Sequence, residues 1–230
     1  MNIVYCLTKD FIEKTIPSMK SVLEFNPKAK IYLLTEVDSV DIGIPVNVVN
    51  ISNRHEFDNS VNIRNNFGGY INLLKVLYPD ILKLKKIIHL DADTIVCDSL
   101  ENLWKTNITG KWVAAVPEYR GRYNPFSGQY FNMGVALINL EQMRKDNIVP
   151  EMVRYLNDVR QPFADQDAWV KYCLENDKFV PVDVRYNENF ATGETDNPAI
   201  VHYCGRFDWW DNPRIKRGEY LAKYKGEVSR

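Results

Sequence analysis

The sequence predicts an α/β fold: one domain on a mostly parallel central sheet flanked by helices, with a C-terminal extension. Three observations carry this. Short apolar runs alternate with amphipathic stretches in the order β-α-β-β-α-β, the pattern of a parallel sheet with helices on its faces. The chain has 230 residues, long for one small domain and short for two full ones. Hydrophobic residues make up 45% and charged residues 26% of it, ordinary values for a globular protein with a real core.

Residues 2–7, containing Ile3-Val4-Tyr5-Cys6-Leu7, are continuously apolar and predict a buried strand. Residues 11–25 place Phe11, Ile12, Ile16, Met19, Val22 and Leu23 at near-helical spacing, and Asn26-Pro27 stops that helix. Ile31-Tyr32-Leu33-Leu34 is a second strand, and residues 46–51 are a third, entered through Pro45. Residues 52–66 are polar and read as a loop. A helix is expected over 70–82, with Ile71, Leu74, Leu77 and Tyr78 on one face. Lys86-Ile87-Ile88-His89-Leu90 is the next strand. Residues 113–116 and 135–138 read as strands around a loop at 117–130 rich in Gly, Pro and Tyr. Helices are expected near 140–157 and 166–175, and Ala199-Ile200-Val201-His202-Tyr203 is a last short strand. The tail from 214 to 230 carries six basic and two acidic residues, interleaved with Tyr220, Leu221 and Tyr224. It reads as a solvated terminal helix, with a weak peripheral contact to an anionic membrane or acceptor as the sharper alternative.

The formal net charge of -1 gives no electrostatic case for nucleic-acid binding. The four cysteines, Cys6, Cys97, Cys173 and Cys204, form no C-x-x-C pair and read as reduced thiols of a cytoplasmic protein. The chain opens almost directly on a strand, without the pattern of a signal peptide. No run approaches the roughly 18 apolar residues of a membrane span. Asn50-Ile51-Ser52 and Asn107-Ile108-Thr109 match the glycosylation sequon, a triplet loose enough to arise by chance.

Asp91-Ala92-Asp93 follows the strand ending at Leu90 directly. Two carboxylates at i and i+2, past the C-terminal edge of a parallel sheet, sit where open α/β sheets bind ligands. Like charges this close are costly unless a cation neutralises them. A hard divalent ion, with diphosphate completing its shell, suits them. Alone the pattern is weak, because Asp-x-Asp is common in turns. His202 lies in Val201-His202-Tyr203-Cys204-Gly205; an imidazole beside two carboxylates suits manganese better than calcium. A histidine among apolar neighbours is more often a satisfied core residue. Phe131-Asn132-Met133-Gly134 runs into a strand and Ala164-Asp165-Gln166-Asp167 opens a helix. Such amides and carboxylates hydrogen-bond sugar hydroxyls, although Asp165 equally fits a helix N-cap and Asn132 a turn.

Together and in order, these segments resemble glycosyltransferase family 8. The set is Ile3-Val4-Tyr5-Cys6-Leu7-Thr8, then Lys75 ahead of His89-Leu90-Asp91-Ala92-Asp93-Thr94-Ile95-Val96. Tyr130-Phe131-Asn132-Met133-Gly134-Val135 with Ile138-Asn139-Leu140, then Asp165-Gln166-Asp167, and His202-Tyr203-Cys204-Gly205 complete it. The likeness runs from about residue 2 to 210, and five ordered motifs are more specific than any one. It implies a GT-A fold, a Rossmann-like nucleotide half with a smaller acceptor-side subregion: 1–96 for the nucleotide, 97–210 for donor sugar and acceptor, 211–230 as the basic tail. It implies retaining transfer of glucose or galactose from a UDP-sugar to a saccharide or glycoconjugate, with Mn2+ or Mg2+. Asp91, Asp93 and His202 would be metal ligands. Leu7, Thr8, Asp10, Lys75, Ala92, Asn132, Gly205 and Arg206 would contact the donor. Asp165 and Gln166 would sit near the anomeric centre, and Glu118 would take the place of an acidic sugar contact.

One position departs from the family pattern. A diphosphate-binding lysine is expected three residues after Gly205, where this chain has Asp208. A carboxylate there would repel diphosphate; either Arg206 supplies the charge, or the loop is shifted, or the leaving group is less stabilised, and Arg206 is preferred because a guanidinium binds phosphate oxygens bidentately. Loops 52–69 and 117–130 are candidate lids, and Tyr119, Tyr123, Phe126, Trp209 and Trp210 are candidate acceptor contacts. Two rival readings remain at this point. A metal-dependent nucleotidyltransferase would want a Gly-rich loop after the first strand, and Leu7-Thr8-Lys9-Asp10-Phe11 has no glycine. A non-catalytic nucleotide- or carbohydrate-binding module is supported only by Asp208.

Overall fold

The computed structural model describes residues 1–63, 69–118, 130–204, 208–212 and 214–226. Its strands are β1 (Asn2–Cys6), β2 (Lys30–Thr35), β3 (Val46–Asn50), β4 (Ile87–Leu90), β5 (Thr94–Val96), β6 (Val113–Pro117), β7 (Phe131–Ile138), β8 (Phe179–Pro181) and β9 (Ile200–His202). Seven form one sheet in the order β3-β2-β1-β4-β7-β6-β8, and β5 pairs separately with β9. β1 runs parallel to β2 and β4, β2 to β3, and β6 to β8. β7 is antiparallel to both its neighbours, so the sheet is mostly parallel, as the sequence predicts.

Both faces of the sheet are covered. Along β1, Val4 and Cys6 enter one apolar cluster, while Ile3 and Tyr5 enter the other. This is the period-2 alternation of a strand buried on both sides. The helices are α1 (Ile12–Phe25), α2 (Tyr70–Leu73), α3 (Tyr78–Ile81), α4 (Glu101–Lys105), α5 (Leu140–Asp146), α6 (Val149–Asp158), α7 (Asp165–Glu175) and α8 (Gly218–Lys225).

Two expected helices are broken. The one over 70–82 becomes α2, a 3-10 turn at Leu74–Leu77, and α3. Pro79 has no N–H to offer the carbonyl of Lys75, and it restarts the helix in the first turn of α3. The one over 140–157 divides at Asn147, whose φ of 50° is the left-handed C-cap of α5. Pro150 then opens α6. β5, α4 and β8 carry no expectation from sequence; at three to five residues they are too short to show a period.

The tail is less solvated than its charge suggests. Leu221 and Tyr224 of α8 are buried against Ile95, Val201, Tyr203 and Trp209. Tyr224 Oη donates to Glu24 of α1 at 2.7 Å, and Lys223 pairs with the same carboxylate. The tail helix therefore backs the β5–β9 pair, and Leu221→Ala is expected to cost about 2–3 kcal/mol. An unchanged thermal midpoint for that variant would show that α8 is not part of the fold. Among the described residues, no helix is long and apolar enough to cross a membrane.

Candidate functional site

The C-terminal ends of β1 and β4 open onto a cavity of about 480 Å³. Leu7 and Thr8 enter it after β1, and Asp91, Ala92 and Asp93 after β4. Lys75 comes from the 3-10 turn, Gly134 from β7, Asp165 and Gln166 from the start of α7, and His202 from β9. This edge is where open parallel sheets place ligands.

Asp91 is fixed from three sides. Its N–H donates to the Gly134 carbonyl at 2.8 Å. Its Oδ1 accepts from Lys75 Nζ at 2.7 Å and from His89 Nε2 at 3.0 Å. His89 is fully buried, and its Nδ1 accepts from Tyr78 Oη at 3.0 Å. Oδ1 is thus saturated, while Oδ2 lies 3.9 Å from His202 Nε2. His202 Nε2 is also 3.2 Å from Asp93 Oδ1. It is buried, yet makes no aligned hydrogen bond. Its other ring nitrogen, Nδ1, donates to Asn187 Oδ1 at 2.9 Å.

One ligand atom each from Asp91, Asp93 and His202 lies within 4.8 Å of the others. An imidazole nitrogen facing two carboxylates fits a divalent cation, and the mixed N,O donor set suits manganese. A glycine keeps the space open. A Cβ on Gly134 would overlap Cε1 of His202 and stand 2.7 Å from Asp91 Oδ2.

The charges are arranged around a buried ammonium. Burial alone would raise the Asp91 carboxyl, but Lys75 and His89 outweigh it and hold it well below the carboxylate range. Burial would lower Lys75, but Asp91 and Asp165 reverse this and keep its ammonium charged. Burial pushes Asp165 up to about 6, against the pull of Lys75. Burial also raises Glu118, against hydrogen bonds from Asn132 and Gln166.

Of the residues expected at the site, Leu7, Thr8, Lys75, Asp91, Ala92, Asp93, Asp165, Gln166 and His202 line the cavity together. Asp10 does not: it is exposed in the 3-10 turn Lys9–Phe11, which presents Phe11 to the cavity instead. Asn132 lies one layer beneath, where Nδ2 donates to Glu118 Oε1 at 2.7 Å and Oδ1 accepts from Gly134 N–H at 3.0 Å. Gln166 Oε1 accepts from Met133 N–H at 3.1 Å. The Asp165 side chain caps no helix; Asp167 supports this turn instead, accepting from Tyr130 Oη at 2.6 Å and Phe163 N–H at 2.7 Å. Gly205 and Arg206 lie outside the described residues. So do Tyr119, Tyr123 and Phe126, while Trp209 lines the cavity.

Asp208, the departure from the family pattern, is held in a turn of its own. Its Oδ2 accepts from Asn212 Nδ2 at 2.6 Å, and it is not among the residues lining the cavity. Part of the lid expected at 52–69 is anchored: Asn62 is buried, and its side chain bonds the carbonyls of Leu156 and Val159 and the N–H of Gln161. Residues 64–68 and most of the 117–130 loop lie outside the described residues. The four thiols are free, and burial pushes Cys6 and Cys97 up to about 12. His89 and Tyr78, expected only in a strand and on a helix face, and the triplet Asn187-Glu188-Asn189, for which the sequence carries no expectation, support the site. A buried amide reads like a loop residue until its partners are known.

The chain matches the family model described as glycosyl transferase family 8 over residues 2–213. It is 28% identical over 169 residues to general stress protein A of Bacillus subtilis, across 60% of this chain and 58% of that protein. It is 22% identical over 223 residues to glycosyltransferase GlyA of Streptococcus pneumoniae, across 90% of this chain and 32% of that one. It therefore spans between about a third and six-tenths of these two relatives. Its fold is that of galactosyltransferase LgtC, solved with donor and acceptor sugar analogues, with a TM-score of 0.78, 21% identity, and coverage of 100% of this chain and 97% of the other. The apo form of glycosyltransferase GlyE from Streptococcus pneumoniae gives 0.70, with 20% identity, over 99% of this chain and 59% of that one.

Proposed function

The chain belongs to glycosyl transferase family 8, and on that premise we propose that it moves glucose or galactose from a UDP-sugar to a saccharide or glycoconjugate, with retained configuration and a divalent metal. The observation that carries this is the convergence of Asp91, Asp93 and His202 at the sheet edge, with His202 Nε2 facing both carboxylates, 3.2 Å from Asp93 Oδ1 and 3.9 Å from Asp91 Oδ2. Residues 1–96 serve as the nucleotide half and 97–210 as the sugar and acceptor half, with 211–230 as a basic tail. A cytoplasmic site of action is part of the proposal, in keeping with the four free thiols.

Leu7 and Thr8 receive the uridine, Lys75 the phosphates or donor sugar, and Gln166, backed by Glu118 and Asn132 beneath it, the sugar hydroxyls. Asp91, Asp93 and His202 hold Mn2+ or Mg2+, which when bound supplies Lewis-acid stabilisation of the leaving diphosphate. Lys75 adds a fixed positive charge beside them, already buried and needing no reorganisation. As the bond from sugar to phosphate breaks, positive charge grows on the anomeric carbon. Asp165, which lines the cavity, offers a carboxyl to that charge. The acceptor hydroxyl attacks from the face that UDP leaves, and its proton passes to the departing phosphate oxygen.

The test is UDP release from UDP-glucose and UDP-galactose, with Mn2+ or with EDTA. Metal-dependent release from one of them, with retention in the product, is expected. Release indifferent to EDTA would remove the metal from the account. No turnover of either sugar with any saccharide acceptor would reduce the protein to a binding module.

A further inference from the structure

We propose that Asn187 is the positioning residue of the metal histidine: it locks His202 in the tautomer that turns a bare Nε2 toward Asp91 and Asp93. The inference rests on the metal-binding reading above and goes beyond it to residues that no motif contains.

An amide oxygen only accepts and an amide nitrogen only donates, so the partners of an asparagine fix which way it points. Here the covalent backbone decides it from both ends. A backbone N–H can only donate. The N–H of Gly134 meets the Asn132 side chain at 3.0 Å, so the atom there is the oxygen. Asn132 Nδ2 then faces the Glu118 carboxylate at 2.7 Å. The same Asn132 oxygen meets Asn187 at 2.9 Å, so Asn187 presents Nδ2 to it. Asn187 Oδ1 is thereby turned toward His202.

The other end gives the same answer. The N–H groups of Ala191 and Thr192 meet the Asn189 side chain at 2.8 and 3.0 Å, so its oxygen faces them. Asn189 Nδ2 is left to donate to Asn187 Oδ1, at 3.0 Å. An amide oxygen only accepts. The His202 nitrogen 2.9 Å from it, Nδ1, therefore carries the proton, and in the neutral ring Nε2 keeps the lone pair that a metal needs.

The ladder is shut off from water. Asn187 is 0% and Asn189 7% exposed. Between them Glu188 is clamped by Arg217 Nε at 2.8 Å and by Thr195 N–H at 2.9 Å, so the triplet cannot easily turn over. A single asparagine thus connects the metal histidine to Asn132, the residue that braces Glu118 behind the proposed sugar site.

Two measurements test this. Long-range 1H–15N NMR on the metal-free protein, at a pH where the ring is neutral, should find His202 protonated on Nδ1. An Nε2-protonated ring overturns the proposal whatever the variants do. Calorimetric titration of Mn2+ in the presence of UDP should then find Asn187→Ala about 10–100-fold weaker than wild type, at a thermal midpoint that shows it folded. Asn187→Asp, which still offers Nδ1 an acceptor but loses the donor to Asn132, should recover Mn2+ affinity and the Nδ1 tautomer. A general loss of packing would not be rescued in this way. Wild-type affinity in Asn187→Ala, or no rescue by Asn187→Asp, overturns the proposal. If Asn187→Ala does not fold, the NMR result and Asn187→Asp decide. Failure of wild type to bind Mn2+ with UDP would sink the metal reading itself, while the tautomer would still be read directly.

Discussion

Gly134→Ala is expected to abolish metal-dependent donor binding while the chain remains folded. Gly134 lies in β7, held between β4 and β6, and its carbonyl and N–H bond Asp91 and Asn132. The backbone there has no room to retreat. A methyl group would overlap His202 Cε1, and would lie 2.7 Å from Asp91 Oδ2 and 2.9 Å from His202 Nδ1. The imidazole must swing away, which takes Nε2 out of the cluster and breaks the bond to Asn187. Overpacking of this kind costs about 1–3 kcal/mol in stability, small beside the loss of a ligand. Mn2+ affinity in the presence of UDP should fall by about 100-fold or more, beyond what outer-shell changes cause. Circular dichroism and calorimetry on one preparation check both halves. A folded Gly134→Ala protein with wild-type Mn2+ affinity would mean that His202 is not a ligand.

What could be read from the sequence followed from periodicity and from sharp local chemistry. β1 is a nearly continuous apolar run and β4 is apolar but for His89, and the parallel sheet follows from such runs. Asp91 and Asp93 stand immediately after such a run, so their place at the sheet edge needed no structure. Breaks inside helices were harder. Pro79 and Pro150 lie where a helix can restart, and an amphipathic pattern continues through them. Asn147 looks like any polar helix residue until its left-handed φ is seen. Asp10 lies near the expected pocket in sequence, but in the 3-10 turn it is exposed, and Phe11, itself half-exposed, borders the cavity instead. Asn187 and Asn189 were invisible because a hydrogen-bond ladder depends on partners 55 residues away, at Asn132. The tail looked solvated by charge count, yet its two buried side chains, Leu221 and Tyr224, decide its place.

Asp93 is the residue whose removal isolates the metal. Asp91 would be a poor choice, since its carboxylate also neutralises buried Lys75 and accepts from His89. Breaking a buried pair by deleting one partner costs about 3–5 kcal/mol, so Asp91→Ala would confound folding with binding. Asp93 supports its neighbours through its backbone, where its carbonyl accepts from Tyr203 N–H at 2.9 Å. Alanine keeps that bond. The substitution leaves Asp91 and His202 as the remaining members of the cluster, too few to hold a divalent ion firmly. The deciding measurement is calorimetric titration of UDP into wild type and Asp93→Ala, each with Mn2+ and then with EDTA. The account predicts binding to wild type that requires Mn2+, and its loss by at least about 100-fold in Asp93→Ala. UDP binding of equal strength in all four conditions, or none in wild type with Mn2+, would contradict it.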